Sequence, residues 1–504
     1  MRTKNVLLGS LFSVVQNVVV LISGLIIPRL IIGEYGSSIN GLISSITQFI
    51  SYFSLLEAGM AGAAIFALYK PIEKNDQTKI NKILSASRRF YYRIGVIYLL
   101  ATLGFSFVYG FLFSNVLSEG ETILLSAVIG FGGALEFITM SRYRVLLTAD
   151  QKTYVCAIAM TISVLFRTFF IVVLIEVGAN IVFIKLISGL TILIRSLILS
   201  IYVKKNYPQV SYVEDCKDVV IEQRKDVLLM QILGTVQSAF PIVAMTIVTI
   251  PYDMISVYSV YGSVIIGLTT ITEVVLNGSI YSTFGEVIQK GEYQLLGKVY
   301  GEFETGCYLL FSVLYSCATV LFLPFVRVYT SGVTDIYYVI PSLALVMLMN
   351  GYMTVIKYPL SSMIQAGGHY KATRWRTITQ FIIGILMPLL FAPIWGIQGI
   401  VLGSFCSHLY RTIDVILYVP KKILRTKTNT SLKRISVSLL SMAVVILVEN
   451  FILPVSSQGY LSWILYSLLY VAISLFVCGF AFFVFCKKEL VGLLRRMRYI
   501  FPKV

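Results

Sequence analysis

Charge is what this sequence has least of. Only 13% of its 504 residues are Asp, Glu, Lys or Arg, about half the share found in soluble domains. With 57% hydrophobic residues and a mean hydropathy of +0.84, a soluble enzyme is excluded. Histidine is rarer still: His369 and His408 stand far from any cysteine pair or His-Glu motif, so no metal ligand set is offered. Seven cysteines show no paired or zinc-like spacing. All but Cys216 and Cys486 lie in apolar runs, where they read as reduced packing residues. The Gly-rich phosphate loop of nucleotidases is missing, which excludes ATP hydrolysis by that route. The acidic run Glu214-Asp215-Cys216-Lys217-Asp218 reads as a solvated loop rather than a metal-binding transferase site. No cofactor, no metal and no catalytic residue are expected.

What is present is a succession of apolar runs. A crossing needs about 20 apolar residues, so the length accommodates about fourteen helices and almost nothing else. The pattern predicts an all-α integral membrane protein with spans near 6–32, 38–68, 90–113, 121–148, 153–176, 180–203, 226–250, 254–281, 298–326, 335–364, 373–394, 396–420, 433–453 and 460–485. The first run is too long for a signal peptide and has no small-residue cleavage site. The net charge of +17 then becomes a matter of topology. Even-numbered loops and both ends carry the basic residues, among them Lys79, Lys82, Arg88, Arg89, Lys152, Lys204, Lys205, Lys290, Lys421 and Lys422. Odd loops carry Glu34, Glu119, Glu121, Asp253 and Asp335, with Arg327 at a margin. The positive-inside rule predicts both termini in the cytoplasm. Basic clusters in short juxtamembrane loops face anionic lipid headgroups, not nucleic acid. Lys487, Lys488, Arg495, Arg496 and Arg498 read as a tail lying on the inner leaflet.

The chain also matches itself. At an offset of about 216 residues, Arg195-Ser196 and Tyr202-Val203-Lys204-Lys205 fall on Arg411-Thr412 and Tyr418-Val419-Pro420-Lys421. Two six-helix halves of the same membrane orientation are expected: an N-lobe over 1–205, a cytoplasmic linker over 206–225 and a C-lobe over 226–422. Helices 13 and 14 over 433–485 and a basic cytoplasmic tail over 486–504 follow.

Charges inside the spans are the candidate functional residues. Arg29, Arg167, Lys185, Arg195, Lys357 and Arg411 lie within or near the ends of apolar runs, as do Arg93 and Arg327 closer to water. A central Arg costs about 2.5–3.5 kcal/mol on insertion scales, so such residues should line a wet cavity or meet partners. Candidate partners, or ion-coupling groups, are Glu57, Glu136, Glu273 and Asp414; Asp414 is placed for an i,i+3 contact with Arg411. The excess of positive charge suits an anionic guest such as a pyrophosphate, which Arg can grip with a bidentate fork. Neutral groups in the spans, such as Gln48, Asn277 and Gln380, suit either helix contacts or sugar hydroxyls. A lone buried His408 reads as a satisfied core residue.

Specific motifs run from Pro28-Arg29 through Glu34-Tyr35-Gly36, Asn40-Gly41-Leu42 and Glu57-Ala58-Gly59 to Leu68-Tyr69-Lys70-Pro71. Further on stand Val257-Tyr258-Ser259-Val260-Tyr261, the stretch from Tyr358-Pro359-Leu360 to Ala366-Gly367, and the Gly396 to Gly403 connection. Together they resemble the polysaccharide transporter family, the O-antigen-type and capsule-type flippases. That family's superfamily also holds the multidrug and toxic compound extrusion transporters and the lipid-linked peptidoglycan precursor flippase. One departure is Val326–Gly332, where many members carry a tryptophan before the glycine. The resemblance implies two lobes around a cationic cavity, with Arg29 at the position of the family's first-helix arginine. It also implies movement of an undecaprenyl-pyrophosphate-linked oligosaccharide across a bacterial cytoplasmic membrane for surface polysaccharide assembly, without bond chemistry. Membrane lipids and a polysaccharide polymerase machinery are the implied partners. The alternatives are a cation-coupled drug or metabolite exporter of the same fold, a membrane polysaccharide polymerase, and a non-transporting scaffold.

Overall fold

A computed structural model describes residues 2–58, 60–211, 225–276, 280–452 and 459–500. Most of the expected linker, the run Glu214–Asp218, Gly59 and Asn277 lie outside them. The described residues are helical throughout, with no strand. Thirteen of the helices are long and apolar enough to cross a bilayer, and the chain is a multi-pass membrane protein. One of them, Tyr370–Leu424, is far too long for a single crossing: at about 1.5 Å per residue it would reach roughly twice the hydrocarbon thickness. It folds back at Gly396, whose φ of 56° and ψ of −131° are non-helical and open mainly to glycine. The two arms pack backbone to backbone. A Cβ on Gly399 would sit 2.2 Å from the Phe391 carbonyl oxygen, and one on Gly403 2.1 Å from the Pro388 nitrogen. Counted as two crossings, this hairpin brings the total among the described residues to the fourteen that hydropathy predicts.

The chain divides into two compact units, Met1–Val260 and Tyr261–Val504. In the first lie α1 (Arg2–Tyr35), α2 (Ser37–Ser51), α3 (Met60–Glu73), α4 (Gln77–Phe113), α5 (Glu119–Thr139), α6 (Ser141–Ala149), α7 (Thr153–Glu176), α8 (Ile181–Leu190), α9 (Ile192–Asn206) and α10 (Lys225–Ile247). The helix α11 (Tyr252–Leu276) carries the boundary. In the second lie α12 (Ile280–Gln289), α13 (Tyr293–Tyr329), α14 (Pro341–Ile356), α15 (Tyr358–Ala366), the hairpin α16 (Tyr370–Val419), α17 (Thr428–Ile452), α18 (Tyr460–Phe485) and α19 (Lys487–Ile500). Several expected single spans are broken. The run 121–148 divides at Met140 into α5 and α6, 180–203 divides at Thr191 into α8 and α9, and 335–364 divides at Lys357. Hydropathy averages over such kinks because both halves remain apolar.

Two helices of 37 residues, α4 and α13, begin 216 positions apart, at Gln77 and Tyr293, the offset at which the sequence matches itself. Both follow an acidic N-cap residue, Asp76 and Glu292. The Asp76 carboxylate accepts the Lys79 backbone N–H at 3.1 Å, which starts α4 well before its apolar part. That hydrogen bond and the Lys79 ammonium hold the Asp76 carboxyl below its usual range.

Within the first unit the lysines of the even-numbered loops gather at one end. There Gln77 and Asn81 donate to the Gln209 carbonyl and the Ser211 hydroxyl, at 3.1 and 2.9 Å, and Lys152 donates to the Tyr207 hydroxyl at 2.8 Å. Lys79, Lys82, Lys204 and Lys205 share this end. Burial and a hydrogen bond to Asp150 push the Tyr207 phenol well up. At the other end the Tyr35 hydroxyl donates to the Ala179 carbonyl at 2.5 Å and Tyr252 donates to the Phe113 carbonyl at 3.4 Å, among Glu34, Glu119, Glu121 and Asp253.

In the second unit α17 and α18 pack against α13. Small polar groups knit the contact: Ser312 and Ser438 hydroxyls lie 2.6 Å apart, and Ser316 donates to Ser474 at 3.2 Å. Val313, Val445 and Cys478 form one apolar cluster, and Cys317, Leu321 and Tyr470 another. These cysteines fill space, as their apolar surroundings in the sequence suggest. The basic segment α19 also docks on α13. Its Arg496 pairs with Glu302 and its Glu489 with Arg434 at 3.1 Å, so it is held by protein contacts as well as by any lipid surface.

Candidate functional site: a cationic cavity in the first unit

Four helices turn three stripes toward a common space. On α5 the stripe is Ile129, Gly132, Gly133 and Glu136; on α7 it is Met160, Ser163, Val164 and Arg167; along α8 and α9 it is Lys185, Ser188, Ile192 and Arg195. The spacings of three and four keep each set on one helical face. Together with Thr47 and Ser51 of α2 and Tyr98 of α4, they enclose a cavity of about 460 Å³. Glycine makes the close approach possible. A Cβ on Gly132 would lie 3.3 Å from the Gly189 Cα, so α5 and α8 touch through backbone while their other residues stand apart.

The kink between α8 and α9 also contributes. The Thr191 carbonyl accepts the Ile194 N–H at 3.1 Å in a tightened turn and the Ser163 hydroxyl at 2.9 Å, so this carbonyl is satisfied at the break by protein groups.

Three predicted cations therefore converge: Arg167, Lys185 and Arg195, with one carboxylate, Glu136. Arg195 Nη1 lies 3.4 Å from Glu136 Oε1. Arg167 and Lys185 have no carboxylate within ion-pair distance among the described residues, and the Nε atoms of Arg167 and Arg195 are buried without a hydrogen-bond partner. The formal balance of the lining is three positive charges against one negative. Such a balance is costly in hydrocarbon unless the space is wet or filled by an anion.

Behind Glu136 the charge continues away from the cavity. Arg144 reaches Glu136 at 4.0 Å and pairs with Glu57 at 2.6 Å, and Tyr91 donates to the same Glu57 oxygen at 2.9 Å. Glu57 is thus a pairing group, as one of its two expected roles allows. Arg144 was missed in the sequence because it hides in the run 121–148; two arginines in three residues, Arg142 and Arg144, were the signal.

The remaining candidates are placed elsewhere. Arg29 lies in α1, one turn before Gly33, and does not line this cavity. Lys357 and Arg411 belong to the second unit. Lys357 Nζ is 2.6 Å from His408 Nδ1, which gives the buried histidine a partner as expected. Arg411 makes the expected i,i+3 pair with Asp414 at 2.7 Å, and Arg376 bonds the other Asp414 oxygen. Glu273 is exposed and accepts from the Tyr358 hydroxyl at 3.0 Å. Unforeseen in the sequence, Glu304 is fully buried and accepts from Arg434 at 2.5 Å, Ser431 at 3.1 Å, and Tyr300 and Tyr308 at 3.2 Å each.

No protein-family model matches the chain, and no curated protein does. Solved structures do match in fold. The lipid II flippase MurJ, in an inward closed conformation, aligns with a TM-score of 0.68 at 14% identity, over 95% of this chain and 99% of that one. An inward-facing multidrug resistance MATE family transporter of the MOP superfamily aligns with a TM-score of 0.62 at 12% identity, over 82% of this chain and 99% of that one. A MOP superfamily transporter from Pyrococcus furiosus, described as having a binding pocket of reverse polarity that suggests a different function, aligns at 0.55 and 13%, over 84% and 97%. At these identities the likeness establishes the fold, which this chain shares with MOP-superfamily transporters.

Proposed function

We propose that the protein is a flippase for a lipid-linked, pyrophosphate-bearing oligosaccharide, acting in a bacterial cytoplasmic membrane in the assembly of a surface polysaccharide. The observation that carries this reading is the lining of the first-unit cavity: Arg167 and Lys185 stand with no carboxylate partner among the described residues and Arg195 pairs with Glu136, in a fold also used by a lipid II flippase. An anionic headgroup would supply the missing counter-charge, and each guanidinium would offer it a charge-assisted fork. The polar remainder of the wall, Thr47, Ser51, Ser163, Ser188 and the Tyr98 phenol, matches what neutral sugar hydroxyls need: donors and acceptors beside an aromatic face. An organic cation would meet repulsion in the same space.

In this reading the N-lobe over 1–205 and the C-lobe over 226–422 move against each other, joined by the linker 206–225, with both termini in the cytoplasm. The positive-inside rule, applied to the basic end of the first unit, supports that orientation. Arg29, Lys357 and Arg411 are assigned to the same headgroup at other stages of the cycle, and Glu57, Glu136, Glu273 and Asp414 to pairing or ion coupling. The protein moves its substrate and forms no bond; a polymerase acts on the product.

The test is a strain lacking the protein, in which surface polysaccharide and lipid-linked units facing the cytoplasm are quantified together. Loss of polymer with accumulation of complete units on the inner leaflet is expected. Complementation by Arg167→Ala or Lys185→Ala should restore protein but not polymer. Normal polymer without the protein would instead favour the exporter reading, and units stranded on the outer leaflet would favour a polymerase.

A further inference from the structure

A second cavity, also about 460 Å³, opens in the first unit between α4, the α5–α6 kink and α9. Its polar wall holds Arg88, Arg142, Tyr143, Ser196 and Ser200, and no acidic residue among the described ones. The wall is organised: Arg142 Nη2 donates to the Tyr143 hydroxyl at 2.8 Å with its guanidinium 4.7 Å from that ring's centre, and Tyr143 donates to Ser200 at 3.1 Å. The opposite margin is apolar and outward-facing, with Tyr92, Leu193 and Leu197 all exposed. Ser200 is six residues before the end of α9 and Arg88 seven after Asn81, so the cavity lies about 10 Å inside the basic end of the unit.

We propose that this cavity binds the phosphate headgroup of an anionic phospholipid of the inner leaflet. Arg88 and Arg142 face its phosphate, the Tyr143, Ser196 and Ser200 hydroxyls face its glycerol oxygens, and the acyl chains run out past Leu193, Leu197 and Tyr92. The two guanidinium groups on the wall favour a negative over a zwitterionic headgroup, whose ammonium they would repel. The apolar margin selects a lipid over a free anion. The site differs in position and composition from the Arg167–Lys185–Arg195 cavity. The proposal rests on the inner-leaflet orientation given above and not on export.

The experiment uses the full chain, delipidated in neutral detergent and titrated with phosphatidylglycerol or phosphatidylcholine while bound lipids are counted by native mass spectrometry. Wild type should retain one phosphatidylglycerol under conditions that strip phosphatidylcholine. The double variant Arg88→Ala/Arg142→Ala should lose it, with affinity down about tenfold or more, the equivalent of at least one charge-assisted contact. Arg167→Ala should keep it. Arg88 is exposed, so Arg88→Gln folds even where the double variant does not, and it alone should weaken retention severalfold. Equal retention of the two lipids would overturn the proposal. So would unchanged retention in both Arg88 variants, or inorganic phosphate displacing phosphatidylglycerol at matching concentration, which would make the cavity a plain anion site. Loss of export with normal lipid binding, or the reverse, separates this proposal from the transport reading.

Discussion

Two clusters of buried charge, one in each compact unit, are answered in opposite ways. In the second, Glu304 is enclosed by Arg434, Ser431, Tyr300 and Tyr308, and Asp414 is shared by Arg411 and Arg376. Every partner comes from the protein, and the helices close on one another. In the first, Arg167 and Lys185 face a cavity and Glu136 pairs with Arg195 and, more distantly, with Arg144. A charge already answered by the protein contributes to structure. One left unanswered around a cavity is available to something that comes and goes.

That contrast can be broken at several points, in descending order of effect on stability. Glu304→Gln should cost about 3 kcal/mol, the lower end for breaking a buried pair, because Arg434 loses its buried partner but keeps Glu489 at 3.1 Å; thermal unfolding of the purified protein in detergent measures it, and a loss below about 1 kcal/mol would mean the enclosure is not closed. Next comes Gly403→Ala in the hairpin, where the new methyl would collide with the Pro388 backbone. Overpacking there should cost about 1–3 kcal/mol, seen as a lowered Tm, while Ala at Gly262, whose Cβ would meet nothing within 4 Å, should cost well below that. Glu136→Gln sharpens the comparison from the other side. Its pair with Arg195 is partly exposed, so stability should fall by no more than about 1 kcal/mol, while export changes because the cavity loses its one acid. Smallest of all, Arg167→Ala should leave stability within about 0.5 kcal/mol or raise it, since an uncompensated charge is removed. A large destabilisation by Arg167→Ala would show that this arginine is structural and would undo the distinction between the units.

Much of this was legible in the sequence, for identifiable reasons. Hydropathy finds crossings because a bilayer demands long apolar runs, and the expected boundary between 394 and 396 falls on the Gly396 turn that divides the hairpin. The Arg411–Asp414 pair follows from helical spacing alone. Kinks were not legible: Met140, Thr191 and Lys357 sit in runs that stay apolar on both sides, and hydropathy has no term for helix direction. Grouping was not legible either. Arg167, Lys185 and Arg195 carry the same stripe spacing as any buried face, and nothing in one sequence says that the α5, α7 and α8–α9 stripes meet. Glu302 and Glu304 were passed over because they lie near the start of a span, where a carboxylate normally reaches water; the docking of α17 and α19 on α13 is what removes them from it.

The stripe along α8 and α9 has a further consequence. Lys185 and Arg195 stand on either side of the Thr191 kink, ten residues apart, so their backbones are separated by at most about 15 Å of helical rise. That exceeds the separation of the two phosphorus atoms of a pyrophosphate, so a headgroup gripped by both would draw their long side chains toward each other. Arg167, on the facing helix α7, stands in the same space. In the proposed reading the cations act as rungs along the cavity, and an anion passing along it would exchange one for the next.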